Sequence, residues 1–413
     1  MKKLLLGFLL IVFIQNSFGQ LTQWRGPNRD GHFPDTALLQ TWPENGPEQI
    51  LEVEKIGKGY SSAIIENGII YTTGMIDTLD YLTAINSDGS FKWQVSYGRS
   101  WTKSFPDTRS TPVIEENRIY VQSGTGRLAC IDKETGKENW AVEVDKEFET
   151  EYHLWGNSET PLVVDAMVIC SPGGKKTSIV AFNKMTGELV WQTKSLGGPR
   201  AYASATIYEW NGHRFILAII GTHLMALKPE TGEIIWDYSY YIKDKWYDQP
   251  GLIWTNTPVF NDNNIFLTMG YDYRAVMLEM DSLGTGVTEK FVDQTFDNHH
   301  HGVILYDGNL YGSNWQGNRK GKWICMKWDS GEIMYVDDWE VKGSMVMADG
   351  LLYCYNEKGS VGLVKPDPEG FEVVSEFKVR KGSGPHWAHP YIGEGKMLIR
   401  HGDVLMVYDI AEE

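Results

Sequence analysis

The sequence predicts an all-β fold, an eight-bladed β-propeller of four-stranded antiparallel blades whose ring is closed by an N-terminal strand. Two observations predict it: one unit repeats along the chain, and the last unit lacks a strand. The clearest copies read LTAINSDGSFKW, CIDKETGKENW, VAFNKMTGELVW and MALKPETGEIIW. They end at Trp93, Trp140, Trp191 and Trp236, which are spaced 45 to 51 residues apart. A repeat of this length is typical of propellers and solenoids.

Each copy has a physical interpretation as part of one blade. An apolar strand ends at a turn that carries glycine, and the chain returns as a strand that carries one tryptophan. Glycine supplies the positive φ that a tight hairpin needs. One such sheet is unstable alone, whereas radial stacking buries both of its faces and lets the tryptophan fill the gap between blades. Eight starts of innermost strands can be counted, near Ser61, Ser110, Glu159, Ala203, Thr257, Gly302, Met345 and Ala388.

The end of the chain predicts how the ring closes. Three later copies, Leu278–Phe291, Cys325–Tyr335 and Leu363–Phe377, keep the repeat without its tryptophan. The last copy ends at Val407–Ile410, so its fourth strand is missing. We expect Gln49–Ile56, just ahead of the first blade, to supply that strand and close the ring.

The first residues indicate a secreted protein. Two lysines precede the apolar run Leu4–Ile14, which is short for a membrane span, and small residues follow up to Gly19. We therefore expect a signal peptide over residues 1–19 and a single propeller domain over residues 20–413. The expected protein is a periplasmic or secreted monomer with no transmembrane segment.

Charge and cysteine content narrow the function classes. The formal net charge of −16 argues against nucleic acid as a partner, because phosphate binding needs a basic surface. The cysteines show no CxxC spacing and lie in apolar runs, so we interpret them as small buried hydrophobic residues. They are Cys130, Cys170, Cys325 and Cys354.

Several segments resemble a known family. The [D/N/P]-x-x-T-G-x-x-x-W units resemble the tryptophan-docking repeats of pyrroloquinoline-quinone-type (PQQ-type) propellers. Gln23–Gly31, which reads QWRGPNRDG, resembles the start of a secreted subgroup, the PQQ-like β-propeller repeat proteins, as do Tyr60–Ser62, Asn298–Gly302 and Ala388–Pro390. The resemblance implies the propeller fold. That family includes quinoprotein dehydrogenases and an outer-membrane assembly scaffold, so the resemblance implies no single activity.

Unusual residues gather just before the innermost strands. These segments open onto one face of a propeller, so their side chains are expected to meet at one mouth of the central channel. Six of the ten histidines fall there. On extended backbone alternate side chains share a side, so we expect His299 and His301 to point the same way. The collected residues are Lys58, Tyr60, Arg109, His153, Trp155, Glu159, Arg200, Tyr202, Trp254, Asn256, His299, His300, His301, Lys342, His386, Trp387 and His389.

Cations and aromatic rings over a funnel favour an anionic ligand with a ring. The sequence hypothesis is therefore an enzyme, a carbon–oxygen lyase that acts on uronate-containing oligosaccharides by β-elimination as a lyase or dehydratase. Arg200 with one histidine would neutralise the uronate carboxylate. Tyr202 or His300 would take the C5 proton, and His153 or His301 would protonate the departing oxygen. The residues expected to position the anionic oligosaccharide are Lys58, Tyr60, Arg109, Trp155, Trp254, His299, His386, Trp387 and His389.

Two alternatives stay open. A non-catalytic scaffold for protein–protein assembly at the cell envelope suits the fold but does not explain the histidines. A PQQ-dependent dehydrogenase would need, as the resemblance implies, Ca²⁺ with carboxylate and amide ligands and often a disulfide of neighbouring cysteines. Ca²⁺ prefers oxygen ligands, whereas this mouth is rich in His and Arg. PQQ is therefore not expected and no cofactor is required, while a divalent metal at the histidine cluster remains an open alternative without a recognisable ligand spacing.

Overall fold

The computed structural model describes residues 21–240 and 253–412, and within them 33 strands form eight sheets arranged in a ring. This confirms the eight-bladed propeller. One short helix, α1 (Val144–Glu147), occurs in the described ranges, and no helix there is long and apolar enough to cross a bilayer. The signal peptide predicted over residues 1–19 lies outside the described residues.

Strands are labelled A to D from the channel outward in each blade, and the blades are numbered in chain order. Blade 1 comprises Ile64–Glu66, Ile69–Ile76, Leu79–Ile85 and Phe91–Arg99; blade 2 Val113–Glu115, Arg118–Gln122, Arg127–Asp132 and Glu138–Glu143; blade 3 Leu162–Val164, Met167–Cys170, Val180–Asn183 and Leu189–Gln192; blade 4 Thr206–Trp210, His213–Ile220, His223–Leu227 and Ile234–Ser239. Blade 5 comprises Val259–Asn261, Asn264–Leu267, Ala275–Met280 and Val287–Asp293; blade 6 Ile304–Tyr306, Asn309–Ser313, Trp323–Lys327 and Ile333–Asp337; blade 7 Gly343–Ala348, Leu351–Asn356, Ser360–Asp367 and Gly370–Lys378; blade 8 Tyr391–Gly393, Lys396–His401, Val404–Asp409 and, as strand D, Glu48–Val53.

The repeated tryptophans join neighbouring blades. Trp93, on strand D of blade 1, lies against Gly136 in the C–D turn of blade 2 and donates its indole N–H to the carbonyl of Lys133 at 3.1 Å. Gly136 has a φ of +70°, and a Cβ there would lie 2.8 Å from the Trp93 ring. Both the turn and the ring contact therefore require glycine. In blade 5, Phe291 takes the place of the tryptophan and packs on Gly331 of blade 6.

The N-terminal strand closes the ring as predicted. Glu48–Val53 pairs antiparallel with Val404–Asp409, and Leu51 lies opposite Val407. This strand begins one residue earlier than expected and ends at Val53. Blade 8 is therefore built from three strands that follow blade 7 and one strand that precedes blade 1.

The segment Gln23–Gly31 lies inside the ring and is here called the channel segment. It continues into the strand His32–Phe33, which pairs in parallel with strand A of blade 7. Arg25 and Arg29 are almost fully buried and donate to backbone carbonyls at the starts of blades on opposite sides of the ring. The acceptors at blade starts are Thr160, Pro161 and Ala205 for Arg29, and Val303 and Met345 for Arg25, which also donates to the carbonyl of Asp30 within the channel segment. Burial lowers the pKa of each guanidinium to about 10, so both are charged at neutral pH.

Candidate functional site

A cavity of about 500 Å³ lies at the mouth of the channel, where the loops between strand D of one blade and strand A of the next converge. We call these the D–A loops. The channel segment supplies part of the wall through Trp24. None of the described residues that line the cavity carries a carboxylate. The aromatic side chains of the wall are Trp24, Tyr60, Phe105, Trp155, Tyr202, Tyr271, Trp315 and Trp387.

Many of the residues collected from the sequence do meet at this cavity. They come from the D–A loops that precede blades 1, 2, 3, 4, 6 and 8, as the sequence argument expects. That they bind a ligand stays a prediction. The predicted residues on the wall are Tyr60, Arg109, Trp155, Tyr202, His299, His300, Trp387 and His389.

Arg200 is not on the cavity wall. Its side chain is fully buried in an ion-pair network, with Nη1 2.6 Å from Asp145 Oδ2 and Nη2 3.6 Å from Glu159 Oε2. Burial opposes its charge, but the two carboxylates outweigh burial and raise the pKa of Arg200. The guanidinium is therefore committed to two acids of the fold and is not available to neutralise the carboxylate of a ligand.

The remaining predicted residues also lie off the wall. Trp254 is buried and donates its indole N–H to the carbonyl of Gly221 at 3.0 Å. The ring of His386 stacks on that of His401, with centroids 3.6 Å apart. Lys58 is exposed, and His153 is half-buried. His301 is fully buried behind His300.

The three consecutive histidines do not alternate as expected. The ring centroids of His299 and His300 are 4.3 Å apart and those of His300 and His301 are 4.2 Å apart, while those of His299 and His301 are 6.4 Å apart. His300 is not turned away from its two neighbours, because the chain bends at His300 and His301 instead of running extended. All three rings therefore lie together.

The histidines on the wall are neutral at physiological pH. Burial lowers the pKa of His299 and of His300 well below the ordinary value. Burial, with the nearby charge of Arg25, lowers the pKa of His389 to about 3. The His389 ring fits one tautomer: Nε2–H donates to the carbonyl of His300 at 2.8 Å, and Nδ1 accepts from Arg25 at 3.3 Å. A second proton, on Nδ1, would lie against the positively charged guanidinium of Arg25, which disfavours the charged form of the ring.

Arg109 is the charged side chain of the wall. It donates to the backbone carbonyls of Phe105 and Asp107, and its guanidinium carbon lies 5.7 Å from the centroid of the Tyr60 ring. Burial, followed by the charge of Asp107, raises the pKa of Tyr60 to about 12, so its hydroxyl is neutral. The cavity thus combines aromatic surface with one positive charge.

The sequence argument missed Trp24, Phe105, Tyr271 and Trp315. Tyr271 and Trp315 lie on the B–C loops of blades 5 and 6, with ring centroids 4.4 Å apart. Asp297 joins these two loops, since its carboxylate accepts the backbone N–H of Trp315 at 3.1 Å and that of Asp272 at 3.0 Å. Burial raises the pKa of Asp297 to about 7. B–C loops open on the same face as D–A loops, so collecting aromatic residues from both would have found these two.

One group of side chains beside the cavity has the chemistry of metal ligands. The ligand atoms of His300, His301 and Glu357 all lie within 4.8 Å of one another. Imidazole nitrogen and carboxylate oxygen are ligands of Zn²⁺ and related ions.

The fold and this cavity define the protein as an eight-bladed β-propeller with a ligand-sized cavity at one mouth of its channel. The family described as outer membrane protein assembly factor BamB matches residues 80–336, which is more than half of the chain. The chain belongs to this family, and its resemblance to PQQ-type propellers is confirmed.

Curated relatives of two kinds match the chain. The chain is 24% identical over 227 residues to outer membrane protein assembly factor BamB of Kangiella koreensis, covering 53% of this chain and 50% of the relative. It is 28% identical over 179 residues to quinoprotein ethanol dehydrogenase of Pseudomonas aeruginosa, covering 38% and 27%. The chain thus spans between a fifth and a half of the length of the curated relatives it matches.

Two crystal structures show the same fold at low identity. BamB of Moraxella catarrhalis superposes with a TM-score of 0.64 at 15% identity, covering 88% of this chain and 100% of that one. Quinohemoprotein alcohol dehydrogenase of Comamonas testosteroni gives a TM-score of 0.68 at 12% identity, covering 93% and 79%. These likenesses concern the fold alone.

The hypothesis of β-elimination on uronate oligosaccharides is wrong. The relatives are named as alcohol dehydrogenases or as assembly factors, and the two alternatives account for them better than a lyase or dehydratase does. An anionic oligosaccharide partner has no support among them. The geometry agrees, because the buried ion pairs of Arg200 leave it no role at the cavity.

The dehydrogenase relatives raise the question whether these residues fit a quinone held with Ca²⁺. The described wall of the cavity offers Ca²⁺ no carboxylate. Of three buried acids nearby, Glu159 is engaged by Arg200 and Asp297 by backbone N–H groups, while Glu357 lies beside two imidazoles, which are not the oxygen ligands that Ca²⁺ prefers. The four cysteines are free and lie in blades 2, 3, 6 and 7. The residues do not fit a Ca²⁺–quinone centre.

Proposed function

We propose that the protein is a non-catalytic binding propeller of the cell envelope, which holds a segment of a partner protein in its aromatic mouth during the assembly of outer-membrane proteins. The observation that carries the proposal is the cavity itself, an aromatic wall with one cation and, among the described residues, no carboxylate. The relatives named as assembly factors support this role, and the predicted signal peptide suits an envelope protein.

The wall favours an aromatic side chain next to a negative charge. Aromatic rings pack edge to face or offset against one another, and each pair contributes about 0.5–1.5 kcal/mol beyond buried area. Trp155 and Tyr202 already form such a pair, with centroids 5.1 Å apart, and Tyr60 and Trp387 form another at 5.0 Å. Arg109 donates to backbone carbonyls rather than to a carboxylate, so it can attract an acidic group of the ligand.

Binding suits the wall histidines better than catalysis does. His389 uses both ring nitrogens within the fold, on Arg25 and on the carbonyl of His300. The rings of His299 and Tyr271 pack edge to face with centroids 4.5 Å apart. These rings therefore shape the wall and hold its loops together.

Peptide binding to the mature protein tests the proposal. Fluorescence anisotropy compares a labelled peptide that carries two aromatic residues and a C-terminal carboxylate with the same peptide carrying alanines. We expect the aromatic peptide alone to bind, and Trp155→Ala or Trp387→Ala to weaken it about tenfold, since one ring contact is worth about 1.4 kcal/mol. Tyr306→Ala is the matched control, because Tyr306 is 37% exposed and lies off the cavity wall.

A cellular measurement separates assembly from other uses of the cavity. Deleting the gene should lower the amount of folded outer-membrane protein, and the wild type and Tyr306→Ala should restore it while the Trp155→Ala, Trp387→Ala double variant does not. Dye reduction that depends on added PQQ and Ca²⁺ would instead support a dehydrogenase and refute the proposal.

A further inference from the structure

We infer that His300, His301 and Glu357 form a binding site for a divalent transition-metal ion of the zinc class, reached from the cavity and open to one further ligand. This goes beyond the proposed function, which needs no metal. The site joins the D–A loop before blade 6 to the end of strand B of blade 7.

One contact within the group, between His301 and Glu357, has the length expected in a coordination shell. His301 Nε2 lies 3.3 Å from Glu357 Oε1, yet neither His301 nitrogen has hydrogen-bond geometry to any partner. Two ligands of a tetrahedral Zn²⁺ ion with bonds of about 2.0–2.1 Å lie about 3.3–3.4 Å apart. The contact therefore has the length of one edge of such a tetrahedron.

The burial of His301 gives an independent reason for a ligand. Its side chain is fully buried, Nδ1 has no hydrogen-bond partner, and Nε2 has only the 3.3 Å contact with Glu357. Buried polar groups are nearly always paired, because an unpaired one costs about 1–3 kcal/mol. A metal bound to one nitrogen would remove that cost in part. The ring of His300 lies next to it and also lines the cavity.

Glu357 is held in place as metal-binding carboxylates usually are. Its Oε1 accepts the indole N–H of Trp387 at 3.1 Å, and its Oε2 accepts the backbone N–H of Arg319 at 2.7 Å. Such outer contacts orient a ligand before the metal arrives. Trp387 is also on the cavity wall, so the metal site and the cavity share a side chain.

The charges around the site indicate which further ligand the metal ion would bind. Lys342 Nζ lies 3.2 Å from Glu357 Oε2 and already balances that carboxylate. A divalent cation at the site therefore leaves net positive charge beside the cavity. An anionic ligand, such as hydroxide or a carboxylate, is favoured at the open position. Two imidazole donors favour Zn²⁺, Co²⁺ or Ni²⁺ over Ca²⁺ and Mg²⁺, which prefer oxygen.

Metal titration of the purified mature protein tests the inference. After dialysis against EDTA, Zn²⁺ is titrated by calorimetry and Co²⁺ by its visible absorption, whose intensity distinguishes tetrahedral from octahedral coordination. We expect one equivalent to bind, with tetrahedral Co²⁺ bands. His300→Asn and His301→Ala should each weaken binding more than about 100-fold, since losing an outer contact alone costs 10–100-fold.

The matched control is His213→Ala, which removes an exposed histidine on blade 4 and should bind the metal like the wild type. Zn²⁺ should also raise the thermal midpoint of the wild type and of His213→Ala, but not that of His300→Asn. His300 is only half-buried, so His300→Asn keeps the test valid if His301→Ala does not fold. Absence of stoichiometric binding to the wild type, or binding retained in His300→Asn, would overturn the inference.

Discussion

Replacing Arg29 with methionine tests whether the channel segment holds the ring together. The substitution leaves three buried backbone carbonyls, at Thr160, Pro161 and Ala205, without their donor. Each unpaired buried acceptor costs about 1–3 kcal/mol, or about 6 kcal/mol for the three. Burial lowers the pKa of the guanidinium from 12.5 to about 10, so removing it recovers about 3 kcal/mol. The expected net loss in the free energy of unfolding is about 3 kcal/mol.

Urea unfolding followed by tryptophan fluorescence at neutral pH measures that loss. The matched control is Arg214→Met, because Arg214 is 36% exposed and its ion pair with Asp165 lies at the surface. Surface ion pairs contribute about 0–1 kcal/mol, so the control should change little. An Arg29→Met loss no larger than that of the control would refute the reasoning, since the arginine would then not hold the blades.

Three further outcomes follow from the structure. Gly136→Ala should lower the free energy of unfolding by about 2 kcal/mol, because the added Cβ would meet the Trp93 ring. Gly68 has a similar φ but no atom near the position of an added Cβ, so Gly68→Ala should cost about 1 kcal/mol less. Folding lowers the pKa of His389 to about 3, so the neutral ring makes its full contribution to the free energy of unfolding above pH 6.5. As the pH falls from 6.5 toward 3, the protein loses about 1.4 kcal/mol of that free energy per pH unit. Urea titrations at pH 7 and pH 5 should show a smaller difference for His389→Gln than for the wild type. Arg200→Met strands two buried carboxylates and should cost about 3–5 kcal/mol by the same measurement, and a loss below 1 kcal/mol would contradict the network.

The fold could be predicted because its determinants are local and repeated. A docking tryptophan such as Trp93 and the turn glycine it packs on, Gly136, recur at a spacing visible in the sequence. The closing strand could be predicted because the last copy lacks one strand. The path of the channel segment could not be predicted from the sequence. Arg29 donates hydrogen bonds to carbonyls that lie 131 or more residues further along the chain, and no periodic pattern relates the arginine to them.

The site was predicted in part for the same reason. The D–A loops follow the repeat, so residues such as Tyr60 and Trp155 were placed on the cavity. Arg200 was assigned a role from its charge, whereas its partner Asp145 lies 55 residues earlier in α1, where no pattern marks it. Counting cations at the mouth therefore overstated its positive charge, because buried acids had already neutralised part of it. The anionic sugar hypothesis followed from that count.

The pairing of Glu48–Val53 with Val404–Asp409 sets the order in which the protein can fold. Seven blades can form from neighbouring stretches of chain as they are synthesised, but the eighth needs both ends at once. Contacts between distant parts of a chain form slowly, and unpaired strand edges stay exposed in the meantime. Glu48–Val53 is made before any of the blades and must therefore wait for Val404–Asp409, the last strand of the ring. A chain truncated ahead of Val404 should therefore remain an open arc with two adhesive edges, prone to pair with other chains, rather than close into a smaller ring.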